Sequence, residues 1–337
     1  MANISGQFLA REKEYLSRYA CLTENTRGRE KPIEPCPNRT EFQRDRDRII
    51  HSKSFRRLMH KTQVFCSPVD EHYRTRLTHT MEVSQVARII ARALSLNEDL
   101  VEAIALGHDL GHTPFGHAGE DALRRCFDPD FAHNEQSLRV VDRLEKDGKG
   151  LNLTFEVRDG ILNHSGGRMA STLEGVVVKY ADRIAYINHD IDDAIRAGVL
   201  SSEDLPKEAI RVLGKRNSER INTMVTAVIE ASTDSPVIRM TPEKEQAMAE
   251  LRAFLFKNIY RSDVIRAEED KAKEMLVALY EYYVNRPEEL PDLYRIHLDE
   301  DGVARCVADY LSGMTDRYAI SCYTKLFIPE VWRGNNT

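Results

Sequence analysis

Between two stretches of helical periodicity lies Gly107-His108-Asp109-Leu110-Gly111-His112-Thr113-Pro114-Phe115-Gly116-His117-Ala118-Gly119-Glu120, which gathers three histidines and two carboxylates into one glycine-rich run. Gly111, Pro114 and Gly116 break a helix, so the run must be a loop joining helices. The adjacent His108-Asp109 pair suits a hydrophobic core poorly, because both groups lose water there and need partners. It suits a divalent cation well, since such an ion takes a neutral imidazole nitrogen and a carboxylate oxygen from one place.

The flanks read as helices. Over 79–94, Val83, Val86, Ala87, Ile90 and Leu94 form one apolar stripe at three- and four-residue spacing. Over 98–110, Val101, Ile104 and Ala105 repeat the pattern, which ends at His108. A longer helix is expected from Leu173 to Ala197, without internal proline and stopping before Gly198. Thr241-Pro242-Glu243 reads as a cap followed by proline at the first helical position, opening a helix that runs to about Tyr260. Further helices are expected over about 264–284 and 303–320, with Pro287 and Pro291 between them, and Asn25 to Asn38 reads as loop. Strand patterns are scarce, so the predicted fold class is all-α. Three segments are expected: an N-terminal basic segment over 1–50, a metal-site core over 51–200 and a C-terminal helical extension over 201–337.

Composition narrows the class. Hydrophobic residues make up 42% and charged residues 30%, the balance of a soluble globular protein. No run approaches the roughly 18 apolar residues of a membrane helix, and Met1 to Gln7 lacks a secretory signal. No membrane partner and a cytoplasmic location are therefore expected. The six cysteines include no C-x-x-C pair and read as reduced thiols. Net charge is −6, yet Arg11 to Lys61 holds fourteen Lys/Arg against eight Asp/Glu. That local excess could meet phosphates of a nucleotide or nucleic acid, or could simply be a solvated segment.

Four residues make a candidate cation site: His79, His108, Asp109 and Asp182. Antiparallel packing of the helices that His79 opens and His108-Asp109 closes would bring those three together. Asp182 lies in the apolar segment Val176 to Tyr186, where an uncompensated carboxylate is expensive. Taken singly, each reads as a hydrogen-bonded core histidine or a surface acid. Taken jointly, two imidazoles and two carboxylates suit one divalent ion: Mg2+, Mn2+ or another transition metal.

This H…HD…D pattern resembles the HD-domain phosphohydrolases, a helical superfamily. Further segments narrow the resemblance: Phe55 to Phe65 (FRRLMHKTQVF), Arg74 to His79, Gly107 to Glu120, His133 to Ser137 and Ala181 to Asp190. Together they are similar to the bacterial deoxyguanosinetriphosphate triphosphohydrolase-like proteins, over about residues 40–200. The resemblance implies hydrolysis of a deoxynucleoside triphosphate to the deoxynucleoside and inorganic triphosphate. It implies a catalytic dyad of His117 and Glu120 and a further catalytic histidine, His133. It also places Arg76 on the α-phosphate, Arg183 on another phosphate, Gln63 and Asp190 at the 3′ hydroxyl, and Tyr186 against the sugar where it excludes ribonucleotides. His112 and His164 are given supporting roles. Met59 stands where longer eukaryotic relatives carry a basic regulatory contact, so regulation in that style is not implied. A homo-oligomer is implied, and single-stranded nucleic acid is a second candidate partner. Two other functions stay open: a different HD phosphohydrolase (nucleotidase or phosphodiesterase), and a nucleic-acid-binding protein with a vestigial HD site.

Overall fold

The structure is a computed structural model that describes residues 3–63, 72–260 and 263–330. Val64 and Phe65 of the FRRLMHKTQVF segment, and Cys66, lie outside the described residues. The fold is all-α; among the described residues the extended pairings are two isolated bridges, Arg29 with Thr154 and Thr62 with Thr75. In chain order, α1 (Ile4–Tyr15), α2 (Glu41–Ile50) and α3 (Lys53–Arg57) lead to α4 (Arg76–Ala93) and α5 (Glu98–Gly107). After the histidine loop come α6 (His117–Cys126), α7 (His133–Arg139), the short turn α8 (Glu145–Gly148), α9 (Phe155–Asn163) and the long α10 (Leu173–Arg196). The C-terminal half holds α11 (Lys207–Leu213), α12 (Asn217–Ser232), α13 (Pro242–Asn258), α14 (Asp263–Val284), the four-residue α15 (Asp292–Arg295), α16 (Leu298–Ser312) and α17 (Asp316–Phe327).

Local chemistry sets the ends of the site-bearing helices. Thr75 caps α4 by accepting from Thr78 N at 3.4 Å, while Thr78 Oγ1 returns a contact to Thr75 N at 3.0 Å. The helix therefore starts at Arg76, one turn before His79. Asn97 caps α5 from Leu100 N at 3.3 Å, and Glu98 and Asp99 in the first turn favour its positive end. Thr172 caps α10 from Gly175 N at 3.2 Å. Thr241 does not cap α13 with its hydroxyl, which has no partner; Pro242 at the first helical position marks that start instead. The single helix expected over 303–320 is two helices, because the chain turns at Gly313 and restarts where Thr315 Oγ1 accepts from Tyr318 N at 3.3 Å.

Helix α10 is the axis of the main core and packs against α4, α5, α9, α12 and α13. Val83, Ile90, Ile104, Ile161, Ile184 and Leu255 are fully buried within this core. A second core joins Phe115, Ala122 and Leu123 of the loop and α6 to Leu276 and Leu279 of α14 and Val307 of α16. The C-terminal helices therefore pack directly on the histidine loop.

Much of the basic N-terminal segment is tied down by the chain's own acids. Phe42 and Ile49 of α2 are fully buried in the main core. Arg29 pairs with buried Asp45 and with Glu41, and Arg46 reaches Asp99 and Glu102.

Candidate active site

Two helices and the loop between them meet a third helix at the proposed cation site. His79 is buried one turn into α4, and His108 closes α5 with Asp109 beside it. Asp182 projects from the middle of α10. Asp182 Oδ1 lies 3.2 Å from His79 Nε2 and 3.8 Å from His108 Nε2. Asp109 Oδ1 is 3.5 Å from His108 Nε2, and its Oδ2 is 3.9 Å from His79 Nε2. The four side chains face one another.

The donor set fits a divalent cation. His108 Nδ1 donates to Ala105 O at 2.6 Å, which turns the Nε2 lone pair towards the carboxylates. That Nε2 is buried with no hydrogen-bond partner. One ligand atom each from His79, His108 and Asp109 falls within 4.8 Å of the others. Burial opposes charge on His79, yet its contact with Asp182 and the Asp109 field raise its proton affinity above the ordinary imidazole value. Burial likewise opposes charge on Asp182, yet His79 and His108 hold its carboxyl below the usual range. A cation held there needs His79 Nε2 without its proton and Asp182 ionised.

Next to this cluster lies a second group of histidines. Glu120, on the first turn of α6, is buried and accepts at Oε1 from Arg124 Nη2 at 2.8 Å and from His133 N at 3.1 Å. His133 Nδ1 sits 3.3 Å from the same oxygen, and His117 Nδ1 lies 3.7 Å from Oε2. Burial pushes the Glu120 carboxyl up, but His117, His133 and His112 more than reverse this and hold it far below the carboxylate range. The expected dyad thus shares its acid with His133. His164 Nδ1 donates to Ile161 O at 2.7 Å, so its Nε2 presents a lone pair to His133 Nε2 at 3.2 Å. Burial and the neighbouring His108 and His133 push His164 down to about 3.

His79, Asp109, Asp182, His112, His117 and His133 line one cavity of about 190 Å³ with Gln63, Arg76, Tyr186 and Asp190. It shares His117, His133, Ser165, Phe256, Tyr260 and Glu269 with an adjoining groove of about 800 Å³. Arg76 is buried, with Nη1 donating to Asp109 Oδ2 at 2.8 Å and Nε without a partner. Asp190 accepts from the Tyr260 hydroxyl at Oδ2, while its Oδ1 and Gln63 Oε1 are buried acceptors with no donor among the described residues. Burial pushes the Asp190 carboxyl up to about 6 against the pull of Tyr260.

Of the residues expected from sequence, all but Arg183 and Glu120 join His79 and Asp109 in or directly behind the cavity wall, and Glu120 lines the adjoining groove. Arg183 follows Asp182 and is turned about 100° round α10; it does not line the cavity. Arg252 of α13 lines it instead, together with Tyr186. Arg252, Phe256, Tyr260 and Glu269 carry no motif that sequence reasoning could have linked to a site so far away in the chain. His112 and His164 lie inside the histidine cluster: His112 is 3.6 Å from Asp109 and stacks on His133 at 4.1 Å.

Comparison with known proteins places this arrangement. The HD domain matches residues 76–187, and the phosphohydrolase-associated domain matches 238–325. A deoxyguanosinetriphosphate triphosphohydrolase-like protein of Caldanaerobacter subterraneus subsp. tengcongensis is 56% identical over 330 residues, 97% of each chain. The chain belongs to the deoxyguanosinetriphosphate triphosphohydrolase-like family of HD-domain hydrolases. A family member from Clostridium perfringens strain 13 is 52% identical over 95% of this chain and 96% of its own. A solved phosphohydrolase of Bacteroides thetaiotaomicron shares the fold at a TM-score of 0.54 and 18% identity, covering 84% of this chain and 68% of that one. HD domains bind divalent metals, and among the described residues two overlapping groups could hold one: His79, His108 and Asp109, and Asp109, His112 and His133. Among the described residues no helix is long and apolar enough to cross a membrane.

Proposed function

We propose that this chain hydrolyses deoxynucleoside triphosphates, dGTP among them, to deoxynucleoside and inorganic triphosphate. One observation carries the reading: a single cavity has the cation cluster on one side and, on another, two acceptors without a partner among the described residues, Asp190 Oδ1 and Gln63 Oε1. Buried acceptors without donors are costly unless a ligand supplies the hydrogen. A 3′ hydroxyl is such a donor. The printed names of the relatives agree with this substrate class.

In the proposed reaction the bond between water oxygen and the α-phosphorus forms, and the bond from the α-phosphorus to the 5′ oxygen breaks. A divalent ion at His79, His108, Asp109 and Asp182 would supply charge neutralisation at the phosphate and acidify water. Arg76 and Arg252 add fixed positive charge along the cavity for the triphosphate. His133 is held by Glu120 on one nitrogen and by His164 on the other, so its ring is fixed beside the cavity. His117 is 59% exposed on the other side of Glu120 and can exchange protons with solvent. The Glu120 carboxylate holds both imidazoles in place, and one of the two gives its proton to the leaving 5′ oxygen in this reaction. Tyr186 and Tyr260 frame Asp190, and an added 2′ hydroxyl would need both space and a partner there.

The test is product analysis with each dNTP and its ribonucleotide counterpart. Inorganic triphosphate from dNTPs, with much slower release from ribonucleotides, is expected. Release of orthophosphate or pyrophosphate alone would replace this reading with another HD phosphohydrolase activity.

A further inference from the structure

We infer that Asp316, assisted by Lys61, is a positioning residue through which the C-terminal helices hold the histidine loop and the Gln63 segment in register. Its catalytic consequence rests on the proposed function; its geometry does not.

Asp316 is the first residue of α17 and is buried. Its Oδ1 accepts from Phe115 N at 3.0 Å. Its Oδ2 accepts from Thr62 N at 2.9 Å and from the Thr62 hydroxyl. An acid in the first turn of a helix ordinarily serves that helix's own N–H groups. Here both oxygens leave α17 for two other segments, and Thr315 does the capping. Phe115 sits at φ 60, a left-handed conformation that a bulky residue keeps only where its surroundings impose it. The next residue, Gly116, also has positive φ, and a Cβ there would meet Arg76 Nη2 at 3.0 Å. The chain then enters α6 with His117.

Lys61 supplies the second point of attachment. Its Nζ is fully buried and donates to the carbonyl oxygens of His112 and, at 2.8 Å, of Ser312. The same end of α16 grips α7, the helix that His133 opens: Asp309 accepts from Gln136 Nε2 at 2.9 Å and from Arg139 Nε at 2.8 Å. Residues 309–316 thus tie together Gln63, the His112–His117 loop and His133. The partners of His79, His108, Asp109 and Asp182 described above come instead from α4, α5, the loop and α10. The acid–base group thus takes a direct hold from this end of α16, while the cation cluster meets α7 through Ser137, whose hydroxyl donates to His108 O at 2.7 Å.

Hydrogen exchange on the substrate-free protein tests this directly, with mass spectrometry of peptides covering 108–120. In Asp316→Asn an amide NH2 meets a backbone N–H, and exchange of this loop is expected to rise at least about tenfold while α4 and α10 stay at wild-type rates. Thr315→Ala weakens the start of α17 without touching Thr62 or Phe115, and should leave loop exchange and kcat at wild-type values. Thr62→Val removes one contact with Asp316 and gives a smaller rise in the same peptides, so the inference is testable even where Asp316→Asn fails to fold. Triphosphate release from dGTP by Asp316→Asn should show kcat lowered at least about tenfold, KM nearly unchanged and wild-type metal content. Unchanged loop exchange in both variants, or an equal rise in Thr315→Ala, would overturn the inference. A wild-type protein that releases no triphosphate would sink the proposed function and leave the exchange result to decide the clamp.

Discussion

Replacing Glu120 by glutamine removes one charge and almost no volume, so it isolates what the carboxylate does for the two histidines that share it. Oε1 takes three donors, from Arg124 at 2.8 Å, His133 N at 3.1 Å and His133 Nδ1 at 3.3 Å, and Oε2 faces His117 Nδ1 at 3.7 Å. An amide oxygen can keep the first three contacts, but without the carboxylate's share of charge assistance, which weakens each. The amide nitrogen then points at His117, where it cannot accept. Losing about 3 kcal/mol of transition-state stabilisation lowers kcat about 10²-fold, within the range of a general acid–base group. The Glu120 carboxyl itself, held far below its usual range, stays ionised across the assay window. Initial rates of triphosphate release from dGTP at saturating substrate measure this loss. A folded variant with kcat within about threefold of wild type would refute the role given to Glu120.

Three further outcomes are expected. Asp190 has its carboxyl raised from 3.8 to about 6, so the native state prefers the proton and stability falls as pH rises through that window. Asp190→Asn should melt higher than wild type at pH 8 and no higher at pH 4, while KM for dNTP rises. Arg252→Ala should raise KM for dGTP by about tenfold or more, the value of a charged hydrogen bond, whereas Arg183→Ala should leave it within about twofold because that side chain does not line the cavity. In Gly111→Ala a Cβ would sit 2.1 Å from Ser137 N. Backbone must then move, so melting should reveal a loss of about 1–3 kcal/mol or more.

The cation cluster was legible in the sequence because its members are polar groups in apolar company. His108-Asp109 closes an apolar stripe and Asp182 interrupts one, and burial of such groups needs a reason. The helices followed from spacing, whereas the caps Thr75, Asn97 and Thr172 were not read from it and Thr241, which was, makes no capping bond. What stayed hidden depends on angle and on distance along the chain. Arg183 looked as well placed as Tyr186, but one residue of helix turns a side chain off the face that four residues restore. Arg252, Phe256 and Tyr260 reach the cavity from α13, and their spacing reads as an ordinary amphipathic helix. His112 and His164 were read as loop or supporting residues, since nothing local distinguishes a histidine stacked on His133 from one facing solvent. Asp316 was equally silent, because a helix-opening acid is expected on capping grounds alone.

The central claim is that His79, His108, Asp109 and Asp182 jointly hold one divalent ion. Metal analysis of the purified protein after equilibration with Mn2+ and removal of free ion tests it most directly, alongside a His108→Ala/Asp109→Ala variant whose fold is checked by circular dichroism. About one ion per wild-type chain and essentially none in the folded variant is the predicted result. A folded variant that keeps a full complement of metal, or a wild-type chain that binds none, would contradict the account.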